Sequence, residues 1–163
     1  MGSGKSTIAN LLHARTGIRN IDLDHYIEEK QGLKIPEIFE LKGEVRFRKL
    51  EHIALKEILE IDDSFILGLG GGTPCFANNI SLLEAEGMIT IYLKASIETL
   101  YNRLANFSSE RPLLQDKSPD ELKEFIAKHL FERNPYYSRA LYKVNTDNKT
   151  PQEVVEDILQ FLA

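Results

Sequence analysis

The sequence predicts an α/β domain of three layers, a central parallel sheet with helices on both faces. Three observations carry that expectation. Short, nearly continuous apolar runs alternate with helical stretches along the whole chain, the pattern of strands buried on both faces. The length, 163 residues and 18.6 kDa, suits one core and one domain, residues 1–163. A glycine-rich turn stands directly before the first helix, and open α/β sheets bind their ligands at such strand-to-helix turns.

The elements follow in order. Ile8, Leu11 and Leu12 behind the opening glycines give a first helix its inner face. Arg19 to Leu23 reads as a short strand ending in carboxylates. Lys34 to Leu41 and Glu44 to Ile61 read as helices, the second with Val45, Leu50, Ile53, Ala54, Ile58 and Ile61 as apolar positions. Ser64 to Leu69 is an apolar run, a buried strand that ends in Gly70-Gly71-Gly72. Ala77 to Glu86 reads as a helix and Met88 to Leu93 as another strand. Ser96 is positioned as the N-cap of a helix to Ala105. Residues 106–118 are polar and read as a loop. Ser118-Pro119 then opens a helix to Tyr137, with proline at its first position. Leu141 to Val144 is a last strand, and Pro151 opens a last helix to Leu162.

Composition narrows the class. With 42% apolar and 28% charged residues the chain is globular, not disordered. No run of apolar residues is long enough to span a membrane, and no secretory leader opens the chain, so a cytoplasmic protein is expected. One cysteine, Cys75, excludes an internal disulfide and a cysteine-rich metal site. The net charge of −5 carries no basic block and argues against a nucleic-acid partner. The four histidines, His13, His25, His52 and His129, lack the spacing of zinc ligands.

The chemistry begins at Gly2-Ser3-Gly4-Lys5-Ser6-Thr7. Gly-Lys-Ser before a helix is the second half of a phosphate-binding loop. Small residues let backbone N–H groups reach phosphate oxygens, and the helix N-terminus adds its partial positive charge. Lys5 is expected on the β/γ-phosphates, Ser6 on Mg²⁺, and Thr7 towards the α-phosphate or the adenine. The loop's first glycine falls before Met1, and the central strand that feeds such loops is missing as well. Either the start codon is misplaced by a short upstream stretch or the chain is a fragment; the former is the expected cause.

Further candidates lie at strand ends and on helices. Asp22 and Asp24 stand at a carboxyl strand end; with strand alternation they point the same way, one towards Mg²⁺ and one towards an acceptor hydroxyl. Gly70, Gly71 and Gly72 let a substrate lie against bare backbone. Arg48 and Glu51 are three apart on one helix face, so the arginine can grip a carboxylate while Glu51 orients it. Arg111 sits in a polar loop suited to a mobile lid. Arg133 comes late in a long helix, before Asn134-Pro135-Tyr136-Tyr137.

Together the motifs G-S-G-K-S-T, I-D-L-D, I-F-E-x-K-G-E-x-x-F-R-x-x-E, L-G-G-G, R-P-L-L and R-N-P-x-Y resemble those of shikimate kinases over nearly the whole chain. These are small P-loop kinases of the nucleoside-monophosphate-kinase type. The resemblance implies a five-stranded P-loop fold, here without its first strand, and phosphorylation of the 3-hydroxyl of shikimate with ATP and Mg²⁺, on the way to chorismate and the aromatic amino acids. By the same resemblance, Gly2 through Thr7 bind ATP, Ser6 and Asp22 serve Mg²⁺, and Asp24 is the base. Lys5, Asp24 and Arg111 form the catalytic set, with a lid over about 106–118 and a shikimate-binding region over about 24–52. Asp24, Arg48, Glu51, the glycine triplet and Arg133 hold shikimate, both arginines on its carboxylate. Arg103 and Pro151 enclose the adenine. The interval from Arg103 to Arg111 is one residue longer than the family pattern. The chain is expected to act as a monomer with small molecules as its partners. The competing readings are a P-loop kinase for gluconate or a nucleoside monophosphate, and a nucleotide-binding module without catalysis.

Overall fold

A computed structural model describes residues 2–105 and 117–162. Its backbone contacts divide into two compact units. One is Lys5–Ile89; the other joins Met1–Gly4 to Thr90–Ala163.

The Lys5–Ile89 unit runs α1 (Lys5–Thr16), β1 (Arg19–Asp22), α2 (Leu23–Gln31), α3 (Ile35–Leu59), β2 (Phe65–Gly68), a 3-10 turn (Thr73–Cys75) and α4 (Asn79–Leu83). Strands β1 and β2 pair in parallel with Asp22 opposite Gly68. Their carboxyl ends therefore finish together, and the acidic pair and the glycine triplet leave the sheet at one edge. α1 packs on both strands through buried Ile8, Ala9 and Leu12. Ile21, Leu23, Ile27, Ile38, Phe47, Leu55 and Ile58 form the core of this unit.

Two differences from the sequence reading matter here. Leu23 does not continue β1: a helix starts there, with Asp22 as its N-cap accepting the His25 N–H and Gly32 at φ 63° closing it. Its inner face is only Leu23 and Ile27, too narrow a stripe to announce a helix in the sequence. The two expected helices at 34–61 form one element with a kink at Gly43, whose φ of 75° and ψ of 168° break the helical path. The buried stripe of α3 is Phe47, Glu51, Ala54, Leu55 and Ile58. Val45 and Ile53 lie on the opposite side of that stripe and are exposed, at 75% and 53%. At Ala77 and Asn78 the backbone has positive φ, which holds α4 to Asn79–Leu83 rather than 77–86.

The second unit contains β3 (Ile91–Lys94), α5 (Ile97–Ala105), α6 (Pro119–Tyr137), β4 (Tyr142–Asn145) and α7 (Pro151–Leu162). β3 and β4 pair in parallel, Leu93 opposite Val144. Ser96 caps α5 through the Thr99 N–H. Ser118 and Glu121 form a reciprocal capping box at α6, with Pro119 at the first turn. α5 and α6 enclose Ala95, Leu100, Leu104, Leu122 and Ile126. A turn at 85–88, with Gly87 at φ 86° and the Met88 N–H on the Ala85 carbonyl, delays β3 by three residues.

Among the described residues the four strands form two parallel pairs, β1–β2 and β3–β4, where one continuous sheet was expected. α1 begins at Lys5, and the strand that feeds such a loop and carries the ladder across the sheet is not among the described residues. No described helix is long and apolar enough to cross a membrane.

Candidate active site

The opening loop has the backbone its chemistry needs. Gly2 and Gly4 take φ of 72° and 87°, a region costly for side-chain-bearing residues. A Cβ on Gly2 would also stand 2.9 Å from the Leu104 Cγ. Lys5, Ser6 and Thr7 form the first turn of α1, the turn whose N–H groups a helix does not use internally. The Arg103 guanidinium donates to the Gly2 and Ser3 carbonyls at 3.4 and 3.3 Å. It also reaches the Thr146 hydroxyl and carbonyl at 3.3 and 3.2 Å. Arg103 thus ties the loop to the segment after β4. Pro151, exposed at the start of α7, lies five residues beyond Thr146.

The acidic pair is arranged differently from the expectation. Asp22 is the last residue of β1, and Asp24 is in the first turn of α2, so strand alternation does not orient them. Asp22 uses Oδ1 to cap the helix at 3.1 Å from the His25 nitrogen. Its other oxygen lies 3.7 Å from where a Gly68 Cβ would stand. Asp24 is half-buried, and its carboxyl is raised from 3.8 to about 6. Desolvation is the main cause, followed by the neighbouring charges of Asp22 and Glu51; Lys5 pulls the other way. A carboxylate with this affinity is poised to take a proton near neutral pH.

The glycine triplet and Arg48 meet in the same unit. A Cβ on Gly70 would stand 3.4 Å from both the Asp24 Oδ1 and the Glu51 Oε1, and 3.0 Å from the Thr73 Oγ1. A Cβ on Gly72 would stand 2.7 Å from a terminal nitrogen of Arg48. The bare backbone is therefore what admits the guanidinium and the two carboxylates. Arg48 donates to the Glu51 Oε2 at 2.9 Å and lies 4.0 Å over the Phe76 ring. Its Nε is buried without a hydrogen-bond partner among the described residues, 3.6 Å from Glu44. Glu51 is 1% exposed, a charge inside the apolar stripe of α3.

Three residues of this site escaped the sequence reading. Phe76 stacks on Arg48, and Thr73 and Asn79, both fully buried, support Glu51 from behind. A polar residue straight after the glycine triplet was the one available signal. Arg133 lies on α6 beside a shallow groove lined by Leu104, Ile126, His129, Leu130 and Tyr137. Arg111 and nearly all of the expected lid lie outside the described residues. Cys75 is half-buried in the 3-10 turn.

The donor set suits a magnesium ion held together with phosphate. Ser6 and Asp22 offer hydroxyl and carboxylate oxygens, hard ligands of the kind Mg²⁺ takes. Among the described residues no group of three or more His, Cys, Asp or Glu side chains could cage a metal. A site with one or two protein oxygens, completed by nucleotide and water, is the usual magnesium arrangement.

A glycine loop before a helix, parallel strands and a half-buried carboxylate of raised pKa in the same unit as an anchored arginine fit a P-loop phosphotransferase of the α/β class. A family model for shikimate kinase matches residues 1–163. The shikimate kinase of Flavobacterium johnsoniae is 54% identical over 163 residues, covering 100% of this chain and 95% of that protein. That of Flavobacterium psychrophilum is 48% identical, covering 99% and 94%. The crystal structure of shikimate kinase from Bacteroides thetaiotaomicron superposes with a TM-score of 0.91 at 34% identity, over 99% of this chain and 93% of that one. Shikimate kinase from Acinetobacter baumannii in complex with shikimate gives 0.86 at 34% identity, over 99% and 88%. The chain belongs to the shikimate kinase family, whose members use ATP with Mg²⁺.

Proposed function

We propose that this chain transfers the γ-phosphoryl group of ATP to the 3-hydroxyl of shikimate, giving shikimate 3-phosphate and ADP. The observation that carries the reading is the cluster at the glycine triplet. A carboxylate raised to about 6 and an arginine fixed by a buried glutamate share one bare backbone turn. That pairing suits a substrate with both a hydroxyl to activate and a carboxylate to hold. Gluconate also has both, so the substrate itself is decided by family membership together with this geometry.

In this reading Asp24 aligns the hydroxyl and accepts its proton as the O–P bond forms; in a loose transition state that transfer comes late. Lys5 and the N–H groups of Gly2 to Thr7 bind the phosphates. Ser6 and Asp22 hold Mg²⁺, which supplies charge neutralisation at the β- and γ-phosphate oxygens. Arg48, Glu51, the glycine triplet and Arg133 hold shikimate, with the binding region over about 24–52. Arg103 and Pro151 border the adenine, and Arg111 acts from a lid over about 106–118. The protein works as a cytoplasmic monomer with shikimate and nucleotide as its partners.

The test is ADP release measured in parallel with shikimate, gluconate and nucleoside monophosphates. Turnover with shikimate at a kcat/KM at least about a hundredfold above the others is expected. Turnover confined to gluconate or a nucleotide overturns the substrate. ATP binding with no turnover on any acceptor leaves the non-catalytic module standing.

A further inference from the structure

Behind Arg48 runs a buried chain of hydrogen bonds that the proposed reaction does not itself use. The Glu51 Oε2 accepts from Arg48 at 2.9 Å. Its Oε1 accepts from the Thr73 hydroxyl at 2.7 Å. The Thr73 carbonyl accepts from the Asn79 Nδ2 at 2.8 Å, and the Asn79 Oδ1 lies 2.7 Å from the His52 Nδ1. A carbonyl can only accept, so the Asn79 amide has one orientation and its Oδ1 faces His52 as an acceptor. His52 therefore carries its proton on Nδ1. Every group in the chain then has a defined direction, from His52 through Asn79, Thr73 and Glu51 to Arg48.

The same threonine also closes the glycine turn, its N–H bonding the Gly70 carbonyl at 3.1 Å. It thereby holds two things at once: the carboxylate that aims Arg48, and the backbone against which the guanidinium lies. Thr73 and Asn79 are both 0% exposed. A hydroxyl buried this deeply is costly unless it is used, and this one is spent on a single carboxylate oxygen. Glu51 has few alternatives if it loses that donor, because Arg48 already occupies its other oxygen.

We propose that Thr73 is a positioning residue for recognition of the substrate carboxylate, its hydroxyl fixing the Glu51 rotamer that presents Arg48. Asn79 and His52 keep Thr73 in register. The inference rests on the shikimate kinase reading above and adds to it a residue that touches no substrate.

The test is Thr73→Val, which keeps the shape and removes the donor, beside Thr73→Ser, which keeps the donor. In Thr73→Val the KM for shikimate is expected to rise about tenfold, the scale of one hydrogen bond to a charged group. kcat and the KM for ATP stay within about twofold. Thr73→Ser restores the wild-type KM. In an Arg48→Lys background Thr73→Val adds little, because the two act through one contact. If Thr73→Val does not yield folded protein, Thr73→Ala carries the same expectations. An unchanged shikimate KM in the folded variant overturns the inference, as does a serine variant no better than valine, or full additivity with Arg48→Lys. Wild-type protein inactive on shikimate in the same assay would instead defeat the underlying reading.

Discussion

Replacing Asp24 with asparagine separates what this carboxylate does for chemistry from what it costs the fold. Its pKa is raised from 3.8 to about 6 in the folded protein, so the folded state binds the proton more tightly than the unfolded chain. Stability is then greatest below 3.8, falls as the pH rises through the window from 3.8 to 6, and stays at its lower value above. Two pKa units correspond to about 3 kcal/mol at most. Partial solvent exposure of the carboxyl reduces that to about 1–3 kcal/mol. Asparagine carries no charge, so at pH 7.5 the variant is expected to be more stable by this amount. For a chain of this length that is a rise in Tm of roughly 2–10 °C. At pH 4 the advantage shrinks below about 1 kcal/mol, since the folded wild type is then almost wholly protonated and the unfolded chain roughly half so. Turnover should move the other way, with kcat down about 10²- to 10⁴-fold, the scale of a lost general base. The wild-type kcat/KM should fall on the acid side with a limb near 6. Differential scanning fluorimetry at pH 4 and 7.5, beside steady-state kinetics from pH 5 to 8, reads all of this. A variant with near-wild-type kcat removes the base. A Tm gain equal at both pH values would show that relief of a raised carboxylate is not the cause.

Three further substitutions test the rest of the site by steady-state kinetics. Arg48→Lys loses the planar fork and is expected to raise the shikimate KM about tenfold with the ATP KM unmoved; an unchanged shikimate KM argues against carboxylate binding. Gly72→Ala drives a methyl to 2.7 Å from the guanidinium and should raise the same KM by at least as much, and wild-type kinetics there would mean that Arg48 is not held against the triplet. Arg103→Met removes the donor to the Gly2, Ser3 and Thr146 carbonyls; the ATP KM should rise about five- to tenfold with the shikimate KM unchanged, and the reverse pattern would refute the anchor.

Much of this was readable from residues alone, and the failures have two causes. The opening loop, the capped starts of α5 and α6 and the four strands announce themselves through local chemistry: positive-φ glycines, Ser caps and apolar runs. α2 did not, because its burial rests on Leu23 and Ile27 alone, and its start is fixed by the Asp22 cap rather than by a stripe. That one omission misplaced Asp24 on a strand rather than in the first turn of α2. Thr73 and Asn79 were invisible for a different reason. Their importance lies in contacts to Glu51 and His52, which are distant in sequence and leave no periodic trace. Glu51 itself showed its character only once α3 was seen, as a carboxylate at 1% exposure in a row of Phe47, Ala54, Leu55 and Ile58.

On the proposed reading, Glu51 also shows why Asp24 as base and Arg48 as carboxylate clamp are not independent devices. It orients Arg48 by accepting its N–H, and its charge helps to raise the Asp24 carboxyl. Gly70 lies at the meeting point of both, since a Cβ there would crowd the Thr73 hydroxyl at 3.0 Å and touch Asp24 and Glu51 at 3.4 Å. In a protein of net charge −5, an anionic substrate gains nothing from the overall field. The local cation is partly cancelled too, because Arg48 already faces Glu51 and Glu44. At Arg48 attraction on this reading comes from direction rather than from charge excess, its donors held at a fixed angle by stacking on Phe76 and by the hydrogen bond to buried Glu51. On the proposed reading, the negative surround that would weaken a simple ion pair adds to burial in raising the Asp24 carboxyl, while Arg48 is aimed by its neighbours.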